Sequence, residues 1–440
     1  MRVIEEAAKK TPVILETEVL VVGGGPSGIN AAIAAKRQGL DVTLLESNGF
    51  LGGILTSVTL GNICGLYMVA GDELIPTVQG IATELIDRLK KRGGVSNPRR
   101  WKKAGTIAFD VFSMKIAYDE MIVESGVRLL SYVKAVKSVM DGNTLKGVII
   151  ESKAGRQAIL AKAVIDATGD ADIAASAGVP FQNIPVSQLQ YPSTMLRWSN
   201  VDTETYKELS REDLTECLEK AVKSGINLPR TNVSGHIIRA GEVHCNVTRI
   251  SKEDGSPINP LDPWELTHAE IKGRQQALRY EEAFKRFVPG FADAYINDTG
   301  AAIGIRESRL IKGEYTLTED DVLSSRKHDD GIACSAWPIE IHSAGAGRGT
   351  EWVWYDDGEY YNIPLRTLIP LEVENLLVSG RSLSATHVAH ATARSSGTCM
   401  AMGEAAGIAI AVALKDGTPL RKVDITKVQS ELLRNGAIIK

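Results

Sequence analysis

Glu18-Val-Leu-Val-Val-Gly-Gly-Gly-Pro-Ser-Gly28 is the stretch on which the fold turns. Glu18 to Val22 is short, β-branched and almost wholly apolar, as a strand buried on both faces must be. Gly23-x-Gly25-x-x-Gly28 follows, and from Ile29 to Gln38 the pattern becomes helical. The first glycine suits a tight turn and the second a close approach of pyrophosphate to backbone. The third lets the helix lie close on the strand. The helix N-terminus presents free N–H groups and the positive end of a dipole. Ala31, Ala32, Ala34 and Ala35 keep the helix slim, and Gly39 is placed to cap it. Asp41-Val-Thr-Leu-Leu-Glu46 is a second strand, ending 18 residues beyond Gly28 on an acid that can accept hydrogen bonds from ribose hydroxyls. Strand, glycine turn, small-residue helix, strand and terminal acid, in that order, imply dinucleotide binding. The candidate contacts are Gly23, Gly25, Pro26, Ser27, Gly28, Glu46 and Ser47.

Composition narrows the class. The 440 residues call for two domains, or one large domain with an insert, and 44% hydrophobic residues supply a sizeable core. A formal charge of −4 with both signs mixed argues against nucleic acid and against a polybasic membrane patch. Met1 to Lys10 has no apolar core of signal-peptide length, and the longest apolar run, Ile408 to Leu414, is short for a membrane span. A soluble, cytoplasmic protein without a membrane span is expected. Cys64, Cys217, Cys245, Cys334 and Cys399 form no C-x-x-C pair, which argues against structural zinc and fits a reducing compartment. No metal is expected.

The rest of the chain supports an α/β reading. Val13 to Glu16 could form an edge strand. Gly80 to Arg92 and Phe112 to Ser125 have helical spacing. Val127 to Val139, Leu145 to Ser152 and Gln157 to Leu160, joined at Asp141-Gly-Asn143 and Ala154-Gly155, read as a three-stranded meander. A separate buried strand from Ala163 then closes in Ala167-Thr-Gly-Asp170. Between about Ile173 and Pro364 the texture changes. Amphipathic helices (Thr203 to Ser224, Thr267 to Phe287) alternate with polar and aromatic segments. The expected fold is a Rossmann-like nucleotide domain, a parallel sheet plus the meander, interrupted by an inserted α+β cap or substrate domain. The expected bounds are 1–172, 173–364 and 365–440.

Gly49-Phe-Leu-Gly52-Gly53, just past the acid, resembles the second glycine pair of the glutathione-reductase-like FAD superfamily, where that loop runs along the flavin's phosphates and ribityl chain. With it go Ala167-Thr-Gly-Asp170, Gly304-Ile-Arg-Glu-Ser-Arg309 and Leu377-Val-Ser-Gly-Arg-Ser-Leu-Ser-Ala-Thr-His387. Together these resemble the bacterial and archaeal FAD-dependent oxidoreductase family, related to fumarate reductase and succinate dehydrogenase flavoproteins. The resemblance spans nearly the whole chain and implies FAD as cofactor. It adds Gly52, Gly53, Thr168, Gly169, Asp170, Gly380, Arg381, Gly397 and Thr398 to the cofactor candidates. It also implies that the last helix points its N-terminus at the flavin ring, with Gly397, Ala401, Gly403 and Gly407 allowing a close approach. The paired cysteines and second glycine fingerprint of disulfide reductases are missing. Gly345-Ala-Gly-Arg-Gly349 neither follows a buried strand nor opens a helix. No histidine lies between Glu46 and Gly53, so noncovalent flavin is expected.

The chemistry calls for an acid or base and a group that holds substrate. His387 and His390 are candidates to move the proton, or else pin their loop by backbone hydrogen bonds; Arg394 is a candidate to bind a carboxylate or carbonyl. His342 and Arg348 are candidates to close the site from the cap side. In the fumarate-reducing relatives that the chain resembles, a cap-side arginine donates the proton, which makes Arg306 a candidate; the motif here differs, and Glu307 is placed to ion-pair Arg306 and Arg309, which would make the segment structural. Cys64 is either a flavin-adduct thiol or a core thiol, the commoner role. The leading expectation is hydride transfer between FAD and a small polar molecule, a carboxylate or hydroxylated compound, with oxygen, a quinone or a carrier protein taking the electrons. A flavin monooxygenase is an alternative, although the Asp-Gly pairs at 141, 330 and 357 fall in turns and Gly380-Arg381 stands where such enzymes carry one. A non-catalytic flavin electron-transfer subunit is another. Association into a homo-oligomer is left open.

Overall fold

The computed structural model describes residues 2–5, 8–342 and 350–440. The opening unit is β1 (Val13–Val22), α1 (Pro26–Arg37) and β2 (Val42–Leu45). The expected edge strand at Val13 is the first half of β1, continuous with its buried end. Proline at the start of α1 costs no hydrogen bond, because that N–H has no partner inside a helix. A single turn, α2 (Ile54–Ser57), follows the Gly52-Gly53 pair. Next comes a hairpin, β3 (Asn62–Ala70) and β4 (Glu73–Pro76), then α3 (Ile81–Lys91), which buries Ile81, Leu85, Ile86 and Leu89. A second hairpin, β5 (Arg99–Trp101) and β6 (Ala104–Ala108), leads to α4 (Val111–Ser125). Asp110 caps α4 by accepting from the Ser113 N–H, and left-handed Gly126 ends it.

β7 (Arg128–Leu130), β8 (Lys134–Asp141), β9 (Thr144–Ser152) and β10 (Gly155–Asp166) complete the first pass. Here the structure corrects the sequence reading. The third meander strand and the buried strand from Ala163 are one strand, β10, since Ala161-Lys162 contains no turn residue. Its first half pairs antiparallel with β9, while its second half runs parallel to β1. One turn of helix, α5 (Asp172–Ala177), follows.

The cap is built on β11 (Leu196–Ser199), α6 (Thr203–Tyr206), α7 (Arg211–Lys223), β12 (Ser234–Arg239), β13 (Glu242–Asn246), α8 (Pro263–Phe287) and β14 (Tyr295–Asp298). The single helix expected from Thr203 to Ser224 is two. A capping box between Ser210 and Asp213 starts α7 afresh. Trp198 stacks on Phe284 at 5.1 Å and meets Phe291 edge-on, forming a core separate from that of the nucleotide half.

The return passes through α9 (Glu319–Leu323), β15 (Gly331–Ser335), β16 (Ile339–Ile341), β17 (Glu351–Val353), β18 (Tyr361–Pro364) and β19 (Leu376–Val378). It ends in α10 (His387–Ala393), α11 (Ser396–Asp416) and α12 (Ile425–Arg434). Leu317, Ile332 and Ile363, placed in the 173–364 segment by sequence, share the core of α1 and α11.

The main sheet runs β7-β2-β1-β10-β9-β8, and β19 joins β10 in parallel above the point where β9 leaves it. The fold is thus mixed α/β with a parallel centre, as the sequence implied. α11 lies on α1 backbone to backbone. A Cβ on Gly403 would sit 2.0 Å from the Ser27 carbonyl oxygen, and one on Gly407 2.3 Å from that of Ala31. By length and composition α11 could cross a membrane, but 94% of its apolar window is packed inside the protein. That long helix was missed as a candidate because Glu404 interrupts its apolar run.

Candidate functional site

The ends of β1, β2, β10 and β19 converge on one cavity of about 780 Å³. Backbone geometry builds its nucleotide end. Gly23 turns with φ +105°, and a Cβ there would lie 2.4 Å from the Ala167 carbonyl oxygen. A Cβ on Gly28 would lie 1.8 Å from the Gly23 oxygen, so only glycine lets α1 start this close to its strand. A Cβ on Gly25 would meet nothing nearer than Gly53 Cα at 3.8 Å. The middle glycine therefore leaves space, at a helix N-terminus, where a phosphate can approach backbone N–H groups.

Glu46 is buried at the tip of β2. One carboxylate oxygen accepts from the Gly24 N–H at 2.8 Å, and the other from the Asn48 N–H at 2.7 Å and Ser47 Oγ at 3.1 Å. Asn48 Nδ2 also donates to that second oxygen, at 2.8 Å, so it is crowded by three donors, while the oxygen facing Gly24 takes one and keeps a lone pair for a ribose hydroxyl. Asp166, at the tip of β10, caps α5 through the Ile173 and Ala174 N–H groups and accepts from Thr168. Arg381 ties three segments together. It donates from Nε to the Gly169 carbonyl at 2.8 Å, from Nη2 to Asp170 at 2.6 Å, and from Nη1 to the Ile305 carbonyl at 2.5 Å.

Among the cofactor candidates, Gly23, Gly25, Pro26, Ser27, Glu46, Ser47, Gly53, Thr168, Gly169, Asp170, Gly380 and Arg381 line this cavity. Gly28, Gly52, Gly397 and Thr398 do not. Gly28 lies beneath the turn, while Gly52 faces Thr56 and Gly397 packs on Gly65. Thr398 is fully buried between Ser395 Oγ and Ser335 Oγ, at 2.8 and 3.2 Å. The N-terminus of α11 does reach the cavity, through Ser395, Ser396 and Cys399. The close approach made by Gly403 and Gly407, however, is to α1.

Side chains build the other end. Arg306 donates to the Tyr191 carbonyl at 2.5 Å and Ser193 Oγ at 2.9 Å, Arg394 to Gln190 Oε1 at 3.1 Å, and Arg230 to the Asn232 carbonyl at 3.2 Å. Arg230 Nε and Nη1 and Arg394 Nε are buried without a hydrogen-bond partner among the described residues. Burial, with mutual repulsion added, pushes Arg306 down to about 9 and Arg230 to about 10. Glu340 faces them. Burial alone would raise its carboxyl, but a hydrogen bond from His342 and the charges of Arg394 and Arg306 hold it well below the usual carboxylate range. His342 Nε2 lies 2.9 Å from Glu340 Oε1, and His342 Nδ1 3.1 Å from Thr350 Oγ1. Burial, then Arg306, pushes His342 far below its ordinary value, so its ring is neutral at pH 7.

Arg306, Arg394 and His342 thus line the cavity, and the two other catalytic candidates do not. His387 Nδ1 is 2.9 Å and His390 Nδ1 3.5 Å from Glu307 Oε1. His387 is held by a hydrogen bond to this buried side-chain carboxylate, whereas the fully buried His390 only lies beside it. Glu307, expected to pair with arginines, serves these histidines, and Arg309 pairs instead with Asp172 at 2.9 Å. Cys64 lines the cavity with its thiol pushed far up by burial, which disfavours a thiolate. Arg348 and the 345–349 glycine run lie outside the described residues. Sequence reading missed Arg230 and Glu340. Nothing local marks Arg230. For Glu340 there was a signal, because Glu340-Ile-His342 on a strand puts acid and imidazole on one face.

Comparison with known proteins agrees with the cradle. The family model for FAD dependent oxidoreductases matches residues 18–432. A thiamine thiazole synthase of Methanococcus aeolicus is 30% identical over 169 residues, 36% of this chain and 58% of that protein. The all-trans-zeta-carotene desaturase of Myxococcus xanthus is 36% identical over 74 residues, 17% of this chain and 14% of that protein. The chain therefore spans little more than half the length of the first and a small part of the second. Among solved structures, a flavin-dependent brominase superposes with TM-score 0.49 at 14% identity, covering 94% of this chain and 83% of its own. The L-proline dehydrogenase of P. horikoshii gives 0.43 at 14% identity, covering 96% and 99%. The chain belongs to the FAD-dependent oxidoreductase family, and FAD is its cofactor.

Proposed function

We propose that this member of the FAD-dependent oxidoreductase family moves a hydride between noncovalently held FAD and a small polar substrate that carries a carboxylate. One observation supports the reading above the rest: three arginines, Arg230 and Arg306 buried and Arg394 partly buried, with buried unpartnered nitrogens on Arg230 and Arg394, stand in the cavity whose other end is the glycine cradle. A buried guanidinium without a partner costs several kcal/mol, and an anionic ligand offsets that cost. The kinship to fumarate reductase and succinate dehydrogenase flavoproteins, implied by the motifs, belongs to the same proposal.

Flavin supplies the two-electron exchange when bound. Arg230 and Arg394 then clamp the substrate carboxylate with their free N–H groups. Arg306 keeps its charge at neutral pH and fixes the segment just before β11 by its bonds to Tyr191 and Ser193. Burial first and the Arg306 charge second hold His342 neutral; an anion seated among these arginines offsets the second, so the imidazole gains proton affinity when substrate arrives. Glu340 holds the ring through Nε2, leaving Nδ1, beside Thr350, as the atom that takes the proton. Electrons pass on to oxygen, a quinone or a carrier protein.

The test is to purify the yellow protein and titrate it anaerobically with hydroxylated and saturated carboxylates, following loss of flavin absorbance. Bleaching by a carboxylate is expected, and bleaching by its uncharged ester or alcohol analogue is not. If neutral compounds alone bleach the flavin, the proposal is lost.

A further inference from the structure

Four of the chain's six tryptophans gather at one side of the cavity, and they come from two distant segments. Trp101 on β5 meets Trp352 on β17 edge-on at 4.9 Å and Trp354 at 5.0 Å. Trp352 stacks on Trp354 at 5.3 Å, and Trp337 lies 6.4 Å from Trp352. The Arg211 guanidinium lies over Trp101 at 4.5 Å. Trp101, Trp337 and Trp352 line the cavity. None of the four belongs to the apolar cores that hold the domains together, and three of them are only partly buried.

Core packing therefore does not account for this cluster. Large indole surfaces left facing a cavity are what a flat ligand covers. Arg211 and Lys102 sit over Trp101, and Lys102 over Trp354, so the cavity-lining faces left to a ligand are those of Trp352 and Trp337; a cationic ligand is disfavoured there by Arg230, Arg306 and Arg394 in the same cavity. The wall and the charged end are also one construction. Trp352 is the cross-strand partner of Glu340, and Trp337 Nε1 donates to Glu340 Oε2 at 3.1 Å.

We infer that the substrate is an aromatic or conjugated carboxylate, its charged head among Arg230, Arg306 and Arg394 and its planar body against Trp352 and Trp337. This rests on the anionic-substrate reading above and narrows it, because a short saturated diacid has no body to cover the wall. Trp352 is thereby a specificity-determining residue.

Isothermal titration of the flavin-loaded protein tests it with three probes: 2-naphthoate, succinate and 2-naphthalenemethanol. Naphthoate should bind at least about tenfold more tightly than succinate. Trp352→Ala should weaken naphthoate by about tenfold or more and leave succinate within about twofold, and Trp352→Phe should restore most of the loss. Flavin content of each variant reports that it is folded. Equal affinity for naphthoate and succinate, or an unchanged naphthoate Kd in Trp352→Ala, overturns the inference and leaves the anionic reading standing. If naphthalenemethanol binds as tightly as naphthoate and Arg230→Met changes neither, the wall stands and the anionic reading falls. Failure of both naphthoate and succinate to bind overturns both.

Discussion

The two ends of the cavity are made of different material. At the nucleotide end the shape comes from backbone: Gly23, Gly25 and Gly28 at the tip of β1, with Gly403 and Gly407 pressing α11 onto α1 from behind. At the far end it comes from side chains that converge from separate segments, Arg230, Arg306, Glu340 and Arg394, none of them near neighbours in sequence. The first end has steric limits and little net chemistry. The second has guanidinium nitrogens left without partners among the described residues. A backbone cradle fixes one cofactor for a whole family, and a side-chain lining can be rewritten position by position without disturbing it.

If that contrast holds, adding one carbon at the first end should do more harm than removing a charge at the second. Gly28→Ala would place its Cβ within bonding distance of the Gly23 carbonyl. Its expected cost is ~3 kcal/mol or more, with almost no flavin in what remains soluble, read as the flavin-to-protein ratio after purification. Arg230→Met should behave in the opposite way. Flavin should be retained and the melting temperature held or raised, because an unpartnered buried charge has been removed. Anaerobic flavin reduction by a carboxylate substrate should slow about a hundredfold or more, by stopped flow. A stable, fast Gly28→Ala or a colourless Arg230→Met would erase the distinction.

Glu404 sharpens it from the packed side. This carboxyl is buried in α11, where it accepts from the Ile81 N–H at 3.0 Å and caps α3. Burial raises it to about 7 from an ordinary 4.5. Its contribution to stability is therefore present below about pH 4.5 and lost as pH rises through about 7. Glu404→Gln should stabilise the protein at pH 8 by on the order of 2–3 kcal/mol and change little at pH 4, measured by thermal unfolding at both pH values. No gain at pH 8 would mean that the charge is solvated after all. The smallest effect is expected at His387. His387→Gln should cost about 1–3 kcal/mol through the loss of its bond to Glu307, while flavin reduction stays within about twofold. A large kinetic loss there would put the histidine pair back into the chemistry.

How far each end could be read in advance follows from the same contrast. The nucleotide end is local: Glu18 to Glu46 contains strand, turn, helix, strand and acid in succession, and the spacing alone dictates their contacts. Even there, the role of Gly403 and Gly407 was misassigned, because a small residue in a sequence does not say what approaches it. At the arginine end, Arg394 and His342 were singled out by residue type and do line the cavity, and Arg230 was not, because its hydrogen bonds, to the Asn232 carbonyl and through its backbone to Tyr280, leave no mark in the sequence of the cavity it faces. His387 and His390 were misplaced for a geometric reason. They sit on α10, where His387 bonds Glu307 and His390 is fully buried, and neither lines the cavity. Glu307 itself lies between two arginines in sequence and pairs with neither in space.

β10 has a consequence for how the molecule is made. Its lower half pairs with the adjacent β9, a hairpin that can close as soon as both strands exist. Its upper half waits for β19, and α1 waits for α11, contacts that join the beginning of the chain to its end. During translation the front of the protein is thus left with an unfinished sheet edge and without the α11 cover of α1 until β19 and α11 have been made. Stalled nascent chains that stop before Ser396 should fail to retain flavin and should be the species that chaperones hold, whereas those released after Asp416 should not.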